Sequence, residues 1–204
     1  WGRNDFGQSS VPTGTFIAVA AGTEHSLAIR SDGTLVGWGR NEYGETNVPA
    51  GTFTAVGGGV DHSLALRSDG TLVGWGSNYY GQITFPTGTF TAVAAAGLNS
   101  LAIRSDGTLA GWGINDYGQR TVPTGTFIAV SAGYYHALAI RSDGTLAGWG
   151  RNDSGQSSVP TGTFTAVAGG SYYSLALKGG NPIAGWGSNG SGQINVPAGT
   201  FTAV

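Results

Sequence analysis

Three histidines hold the same position in a repeating sequence, and imidazole often binds metals or transfers protons near neutral pH. His25 and His62 each precede a serine, and a histidine beside a serine can form half of a nucleophile pair. Both interpretations weaken because Asn99 and Tyr173 stand at the equivalent positions, and a catalytic group seldom needs to recur along a chain. We therefore expect His25, His62 and His136 to be scaffold residues, with no catalytic site, no metal site and no cofactor.

Two other motifs suggest chemistry that their surroundings do not support. Ser31-Asp32-Gly33-Thr34 resembles part of a calcium loop, but its spacing does not fit one, and a hairpin turn explains it fully. Gly37-Trp38-Gly39 is not a phosphate-binding loop, because no helix is predicted after it. The chain contains no cysteine, which excludes disulfide bonds and thiolate metal sites.

The tryptophans define the repeat that positions these residues. They fall at 1, 38, 75, 112, 149 and 186, so that 37 residues separate each one from the next. The repeats therefore span 1–37, 38–74, 75–111, 112–148 and 149–185, and a partial sixth repeat covers 186–204. One unit of this length cannot bury its apolar side alone, so we expect the units to pack into a single domain over 1–204.

Each unit contains three strand-like runs, which in the first unit are Thr15–Ala20, His25–Arg30 and Thr34–Gly39. The dipeptide Asp32-Gly33 separates the second run from the third, and it is a strong hairpin signal because both residues tolerate positive φ. No helical period of apolar residues appears. The sequence predicts an all-β protein, a β-propeller of three-stranded blades with five whole blades and a split sixth.

Composition and charge narrow the classes of partner. The net charge is −2 and charged residues make up 10% of the chain, whereas nucleic-acid-binding proteins usually carry a basic patch. No apolar run is long enough to span a membrane, and no charged-then-apolar leader opens the sequence. We therefore expect a protein partner, no nucleic acid and no membrane span.

Differences between the units concentrate at one end of the predicted blades. Strand direction places the link between the first two strands (22–25) beside the segment that follows the third strand (3–6 in the first unit). We call this end the loop end. The opposite end carries an Arg-Ser-Asp-Gly turn that is identical in four units. All eight tyrosines lie at loop-end positions, and tyrosine is enriched at binding hot spots.

The residues predicted to bind a partner are therefore aromatic and acidic. Outside the turns, acidic side chains outnumber basic ones, which disfavours phosphate backbones as partners. The predicted set is Tyr43, Tyr79, Tyr80, Tyr117, Tyr134, Tyr135, Tyr172, Tyr173, Glu24, Asp61 and Asp116.

Two segments, Gly22–Ile29 and Gly37–Gly44, resemble the regulator of chromosome condensation repeat. The short unit, with Val-Pro shortly after Gly-Gln, and the stretch Ser174–Gly180 are most similar to the propeller-type beta-lactamase inhibitory proteins. That resemblance implies a bacterial protein, secreted or on the cell surface, that grips an enzyme with loop residues at one end. By matching positions these residues are Tyr43, Tyr80, Tyr117, Tyr134, Tyr135, Tyr172 and Asp61. The chain departs from those proteins in having fewer units and no tryptophan in its loops.

Two alternative functions remain open from sequence alone. A structural or cell-surface repeat protein could associate with its own copies through the split blade, since an unpaired sheet edge is prone to pairing. A carbohydrate-binding lectin would also use tyrosine with aspartate and asparagine. The split blade has three possible arrangements: closure on itself, sharing of strands between two chains, or continuation into a longer array.

Overall fold

The computed structural model describes residues 2–180 and 182–204, and it contains five antiparallel sheets of three strands each. The strands in chain order are β1 (Phe16–Ala21), β2 (His25–Arg30), β3 (Leu35–Gly39), β4 (Phe53–Gly58), β5 (His62–Arg67), β6 (Leu72–Gly76), β7 (Phe90–Ala96), β8 (Asn99–Arg104), β9 (Leu109–Gly113), β10 (Phe127–Ala132), β11 (His136–Arg141), β12 (Leu146–Gly150), β13 (Phe164–Gly169), β14 (Tyr173–Lys178) and β15 (Ile183–Gly187). Each sheet consists of three consecutive strands. The described residues include no helix that could cross a membrane.

The three strands of the first sheet begin and end within one residue of the predicted bounds. Their register shows how the turn between the second and third strands forms. Asp32 accepts hydrogen bonds from the backbone and side chain of Thr34, at 2.9 and 2.7 Å, and these bonds lower the pKa of Asp32. Gly33 supplies the positive φ of 84° that the turn requires. The Ser-Asp-Gly-Thr motif is thus a hairpin turn, and it sets Ile29 opposite Leu35 across β2 and β3.

The hydrophobic core lies between consecutive sheets. Ile29 and Leu35 of the first sheet pack against Phe53 and Ala65 of the second, and all four side chains are buried. The equivalent residues form the next three junctions, from the second sheet to the fifth. Burying one phenylalanine in this way contributes about 1.5–3 kcal/mol. The sheets therefore pack side by side as the five blades of a propeller.

A polar network also connects neighbouring blades, and it contains the histidines. His25 Nε2 lies 3.0 Å from Ser63 Oγ in the next blade. Ser63 Oγ and Trp75 Nε1 both donate to the backbone oxygen of Glu45, each at 2.8 Å. His62 and His136 pair in the same way with the serines of their next blades, at 2.9 and 2.8 Å. The structure therefore places all three histidines in the scaffold.

The split sixth blade forms no strand among its described residues, 2–15 and 188–204. The sequence predicts the beginning of another first strand at Phe201–Val204, but these residues form no strand, because no second strand lies beside them. Trp1, which opens the first repeat, lies outside the described residues.

Candidate functional site

The two variable segments of each repeat meet at the loop end, through backbone hydrogen bonds that recur from blade to blade. The N–H of Arg40 donates to the oxygen of Glu24 at 2.9 Å, and the N–H of Arg151 donates to the oxygen of Tyr135 at 2.9 Å. The same bond joins Ile114 to Leu98, at 3.0 Å. Residues from both segments therefore form one surface, opposite the Ser-Asp-Gly turns.

The acidic residues predicted for the site are mostly held in ion pairs over the first two blades. Arg40 contacts Glu24 at 3.2 Å and Asp61 at 3.0 Å, and it also pairs with Glu42. The guanidinium lies 5.7 Å from the ring centre of Tyr43. Burial raises the pKa of Asp61, and the Arg40 charge opposes that rise. Glu24 and Asp61 are consequently oriented by Arg40, and part of their charge is neutralised.

Four of the predicted tyrosines form a cluster over the third, fourth and fifth blades, which we call the tyrosine cluster: Tyr117, Tyr134, Tyr135 and Tyr172. Tyr135 is at its centre, with ring centres 4.5 Å from Tyr134, 5.4 Å from Tyr117 and 5.8 Å from Tyr172. Burial raises the pKa of the Tyr135 hydroxyl. The rings support one another, so the cluster presents a large aromatic surface with little freedom to rearrange.

Arg151 holds the tyrosine cluster together, although sequence comparison did not single it out. Its guanidinium carbon lies 4.9 Å from the ring centre of Tyr117 and 5.3 Å from those of Tyr135 and Tyr172. Asp153 accepts a hydrogen bond from Arg151 Nε at 2.6 Å. In cation–π contacts of this kind the negative face of the ring attracts the guanidinium charge. A basic residue two positions before an acidic one, repeated in three units, is the sequence signal that could have identified it.

The remaining predicted tyrosines stand apart from this cluster. Tyr79 and Tyr80 form a separate edge-to-face pair with ring centres 4.9 Å apart, and Tyr79 is 85% exposed. Tyr43 lies with Arg40. Tyr173 begins β14 at the position that histidine occupies in three other blades, and its ring fills the space beside Gly170. Tyr173 is thus half-buried, in a scaffold position, while the other seven lie in the loops.

Two pockets open beside Tyr134. One, of about 340 Å³, lies where the strand links of all five blades converge, and glycines 22, 58, 59, 97, 169 and 170 form most of its wall. The other, of about 240 Å³, lies between the third and fourth blades and is lined by Leu98, Ile114, Asp116, Tyr117, Tyr134 and Tyr135. Over residues 2–180 and 182–204, no group of three or more histidine, aspartate or glutamate side chains could hold a metal ion.

The sequence comparisons identify the repeat. The family model described as the regulator of chromosome condensation (RCC1) repeat matches residues 16–45, 53–82, 90–119 and 127–156, more than half of the chain. Each match begins with the first strand of a blade and ends at the residue whose backbone oxygen accepts the tryptophan and serine hydrogen bonds. A comparison with curated proteins found no match.

Solved structures with the same fold are longer than this chain. The ectodomain of the receptor kinase CR4 from Physcomitrella patens has a TM-score of 0.79 at 24% identity, over 92% of this chain and 56% of its own. Prp20p from Saccharomyces cerevisiae has a TM-score of 0.77 at 19% identity, over 91% and 61%. Human WBSCR16 has a TM-score of 0.76 at 19% identity, over 88% and 63%.

The chain therefore spans less than two thirds of the length of these structures. At such identities the matches show a shared fold. The likeness to the propeller-type beta-lactamase inhibitory proteins stays a prediction, because none of these matches tests it.

Proposed function

Because the chain belongs to the family of regulator of chromosome condensation repeat proteins, we propose that it is a non-catalytic module that binds a protein partner through its loop end. The observation that carries the proposal is the tyrosine cluster with Arg151. Its residues come from repeat positions that differ between units, yet they meet in a single packed surface. A scaffold alone does not require this surface, because the other blades fold with different residues at these positions.

The physical properties of the cluster suit a binding hot spot. Tyrosine offers a large contact area and a hydroxyl, and it loses little conformational entropy when it is bound. Tyr117 is 44% exposed and Tyr172 is 39% exposed, so both rings are accessible while their neighbours hold them. Rigid, preorganised contact residues reduce the entropic cost of association. We therefore expect most of the binding free energy to come from these four tyrosines and Arg151.

Known propellers of this fold support a protein partner. The yeast protein Prp20 has been crystallised bound to Kap60, and the structure of Prp20p is described together with its binding to Gsp1p and histones. These partners belong to Prp20 and are not transferred to this chain. They support the general proposal that a propeller of this type can present a protein-binding surface.

A narrower proposal concerns the class of partner. The likeness to the propeller-type beta-lactamase inhibitory proteins, together with the aromatic and acidic loop end, supports a secreted or cell-surface enzyme that the module inhibits. An inhibitor needs rigid contact residues around the partner's active site, and the tyrosine cluster offers them. The enzyme's identity would follow from a panel of purified secreted enzymes that includes a beta-lactamase.

The double substitution Tyr134→Ala plus Tyr135→Ala tests the binding proposal. Tyr135 contacts the other three rings of the cluster, so its loss should leave them without mutual support. The affinity for whichever enzyme of the panel binds the wild-type chain should then fall at least about 100-fold. Affinity is measured by calorimetry, and circular dichroism checks that the propeller remains folded.

The matched control is Thr52→Ala plus Ser68→Ala, which removes an exposed hydrogen bond of 2.8 Å at the opposite end of the second blade. It should leave affinity unchanged. Equal affinities for wild type and for the tyrosine variant would exclude the cluster as the contact surface.

A second candidate function is self-association, and the outer side of the first blade favours it. Val19 on β1 is 75% exposed, and the pocket beside it measures about 320 Å³. The equivalents of Val19 in the other four blades are half-buried against the preceding blade. The fifth blade of a second copy could cover β1 in the same way, because Leu175 and Ile183 there are less buried than their equivalents.

Light scattering of the purified chain tests the second candidate. Association between the first and fifth blades should give a mass at least twice the 20.6 kDa of one chain. Val19→Glu would place a charge on the apolar surface and should restore the mass of a single chain. A mass of 20.6 kDa for the unmodified chain at micromolar concentration would exclude the second candidate.

A further inference from the structure

The loop end repeats one arrangement of arginine, carboxylate and aromatic ring. Three units place an arginine two residues before an acidic residue, and each pair forms a salt bridge: Arg3 with Asp5, Arg40 with Glu42 and Arg151 with Asp153. The guanidinium groups of Arg40 and Arg151 also lie over aromatic rings. In these three units the acidic residue is therefore paired with an arginine side chain.

The fourth unit keeps the carboxylate and lacks the arginine. Ile114 stands where the three other units have arginine, and Asp116 follows two residues later. Across the described ranges 2–180 and 182–204, no hydrogen bond and no salt bridge engages the Asp116 side chain, which is exposed. The third and sixth units carry neither charge at these two positions, having Ser77 with Tyr79 and Ser188 with Gly190. Asp116 is therefore a loop-end carboxylate whose expected cation is absent from its own repeat.

Asp116 lies at the pocket of about 240 Å³ between the third and fourth blades. Leu98 and Ile114 give this pocket apolar walls, and Tyr117, Tyr134 and Tyr135 supply three aromatic rings. The combination of an apolar cavity, aromatic rings and one unpaired carboxylate fits a side chain with an alkyl stem and a cationic, planar tip.

We propose that this pocket receives an arginine side chain of the protein partner, and the inference rests on the proposed function. The arginine stem would pack against Leu98 and Ile114, and its guanidinium would stack on a tyrosine ring and pair with Asp116. Arginine fits better than lysine because its flat group stacks on rings and can form two parallel hydrogen bonds to a carboxylate. Arg151 stacked on Tyr117 shows the stacking part of this geometry within the same cluster.

The charges around the pocket are compatible with a bound cation. Arg151 contacts Tyr117 and Tyr135 as well, but Asp153 pairs with it and offsets its charge. Arg120 is exposed and donates to the backbone oxygen of Gly113 at 3.4 Å. Asp116 therefore keeps its charge available for a group from outside.

The substitution Ile114→Arg tests the pocket by supplying the missing arginine within the chain. The fold should tolerate it, because three units carry arginine there. The new side chain should pair with Asp116 and fill the pocket. Asp116→Asn is the second variant, since it removes the charge and keeps the shape.

The probe is N-acetyl-arginine methylamide, titrated into the labelled chain and followed by amide chemical shifts in NMR spectra. Saturable shifts are expected at Leu98, Asp116, Tyr117, Tyr134 and Tyr135, with affinity at least about tenfold weaker in Asp116→Asn and no saturable shift in Ile114→Arg. The uncharged citrulline analogue and the lysine analogue should each bind at least about fivefold more weakly. Equal binding of any analogue, or unchanged affinity in Asp116→Asn, would overturn the assignment.

Binding of the two variants to a partner enzyme distinguishes the arginine pocket from the proposed function. If the Tyr134→Ala plus Tyr135→Ala variant loses the enzyme and Ile114→Arg also loses it, the pocket and the binding surface are both supported. If Ile114→Arg binds the enzyme with unchanged affinity, the arginine pocket is excluded while the tyrosine cluster remains the contact surface.

Discussion

Lowering the pH from 8 to 5 is expected to reduce the free energy of unfolding by at least about 4 kcal/mol, because two buried histidines account for about that much and burial lowers the pKa of the third, His25, as well. Burial lowers the pKa of His62 to about 3 and that of His136 to about 4. The Nδ1 atom of each ring is buried without a hydrogen-bond partner, so a proton added to the ring would have no acceptor. The unfolded chain imposes no such cost, and its histidines titrate near 6.5.

The direction of the effect follows from proton binding. Both pKa values are lower in the folded state than in the unfolded state, so the unfolded chain binds more protons below pH 6.5. Stability is complete above pH 6.5 and is lost as the pH falls toward the folded-state values. At pH 5 each histidine accounts for about 2 kcal/mol of that loss. Since small domains are stable by only about 5–15 kcal/mol, the change is large.

The carboxylates whose pKa is shifted in the folded chain do not produce this loss between pH 8 and 5. Hydrogen bonds from the following threonines lower the pKa of Asp32, Asp69, Asp106 and Asp143 below 3.8, so these turns titrate at more acidic pH. The pKa of Asp61 is raised by burial, and a raised carboxyl pKa adds stability as the pH falls. The loss in this window therefore reports the histidines.

The substitution His62→Asn tests whether His62 causes part of this loss of stability. The chain already carries asparagine at the equivalent position of another blade. Asn99 occupies the same position in the third blade and is fully buried there. Urea unfolding of wild type and His62→Asn at pH 8 and pH 5 measures both free energies. The variant should be less stable at pH 8, because the bond to Ser100 is lost, and its loss on acidification should shrink by about 2 kcal/mol. Identical pH dependence in the two proteins would contradict the assignment.

The repeat explains why the strands could be predicted closely from the sequence. Asp32-Gly33 fixes the hairpin locally, and the spacing of the tryptophans fixes the register of every later unit. The position of Phe53 in the junction between blades follows from the same logic, because one unit cannot bury its apolar side alone. Local turn chemistry and one period were sufficient for the fold.

The site could be predicted only in part. Strand direction places the tyrosines at one end, but it gives no distances across blades, and these decide that Tyr135 joins Tyr117 and Tyr172 while Tyr79 does not. The position of Tyr173 beside Gly170 depends on packing at the start of β14, which single-position comparison does not show. Contacts between residues of different repeats are the information that the sequence pattern lacks.

Glu45 differs from its equivalents in the other repeats, and its burial makes this difference important for stability. The other units have glutamine at this position, and there the side-chain oxygen accepts the N–H of the residue two positions earlier, as Gln119 does from Tyr117 at 2.9 Å. Glu45 Oε2 accepts the N–H of Tyr43 at 2.8 Å, but Oε1 is buried without a partner. Glu45 is fully buried, so Oε1 has lost its hydrogen bonds to water and has gained no hydrogen bond from the protein.

The substitution Glu45→Gln is accordingly expected to stabilise the propeller by about 1–2 kcal/mol. The amide keeps the bond to Tyr43 and leaves a neutral nitrogen where the carboxyl oxygen was. Gln119 and Gln156 show that the fold tolerates an amide nitrogen without a partner at this depth. Removing the acidic group also relieves its repulsion of Asp61, whose pKa Glu45 helps to raise. Urea unfolding at pH 7 measures the gain.

The reverse substitution, Gln82→Glu, is the matched control in the third blade. Gln82 is equally buried, and its nitrogen donates to the Ser77 hydroxyl at 3.4 Å. That hydroxyl can turn to donate to a carboxylate instead, so the cost of Gln82→Glu comes from placing a charged group where water does not reach. It should destabilise the chain by at least as much as Glu45→Gln stabilises it. Were Glu45→Gln to reduce stability instead, Glu45 would have to be compensated by the nearby His25, whose pKa it raises against the effect of burial. Glu45 lies between the first two blades, whereas the tyrosine cluster lies over the last three. Glu45→Gln should therefore leave partner affinity unchanged, so that stability and binding can be altered separately.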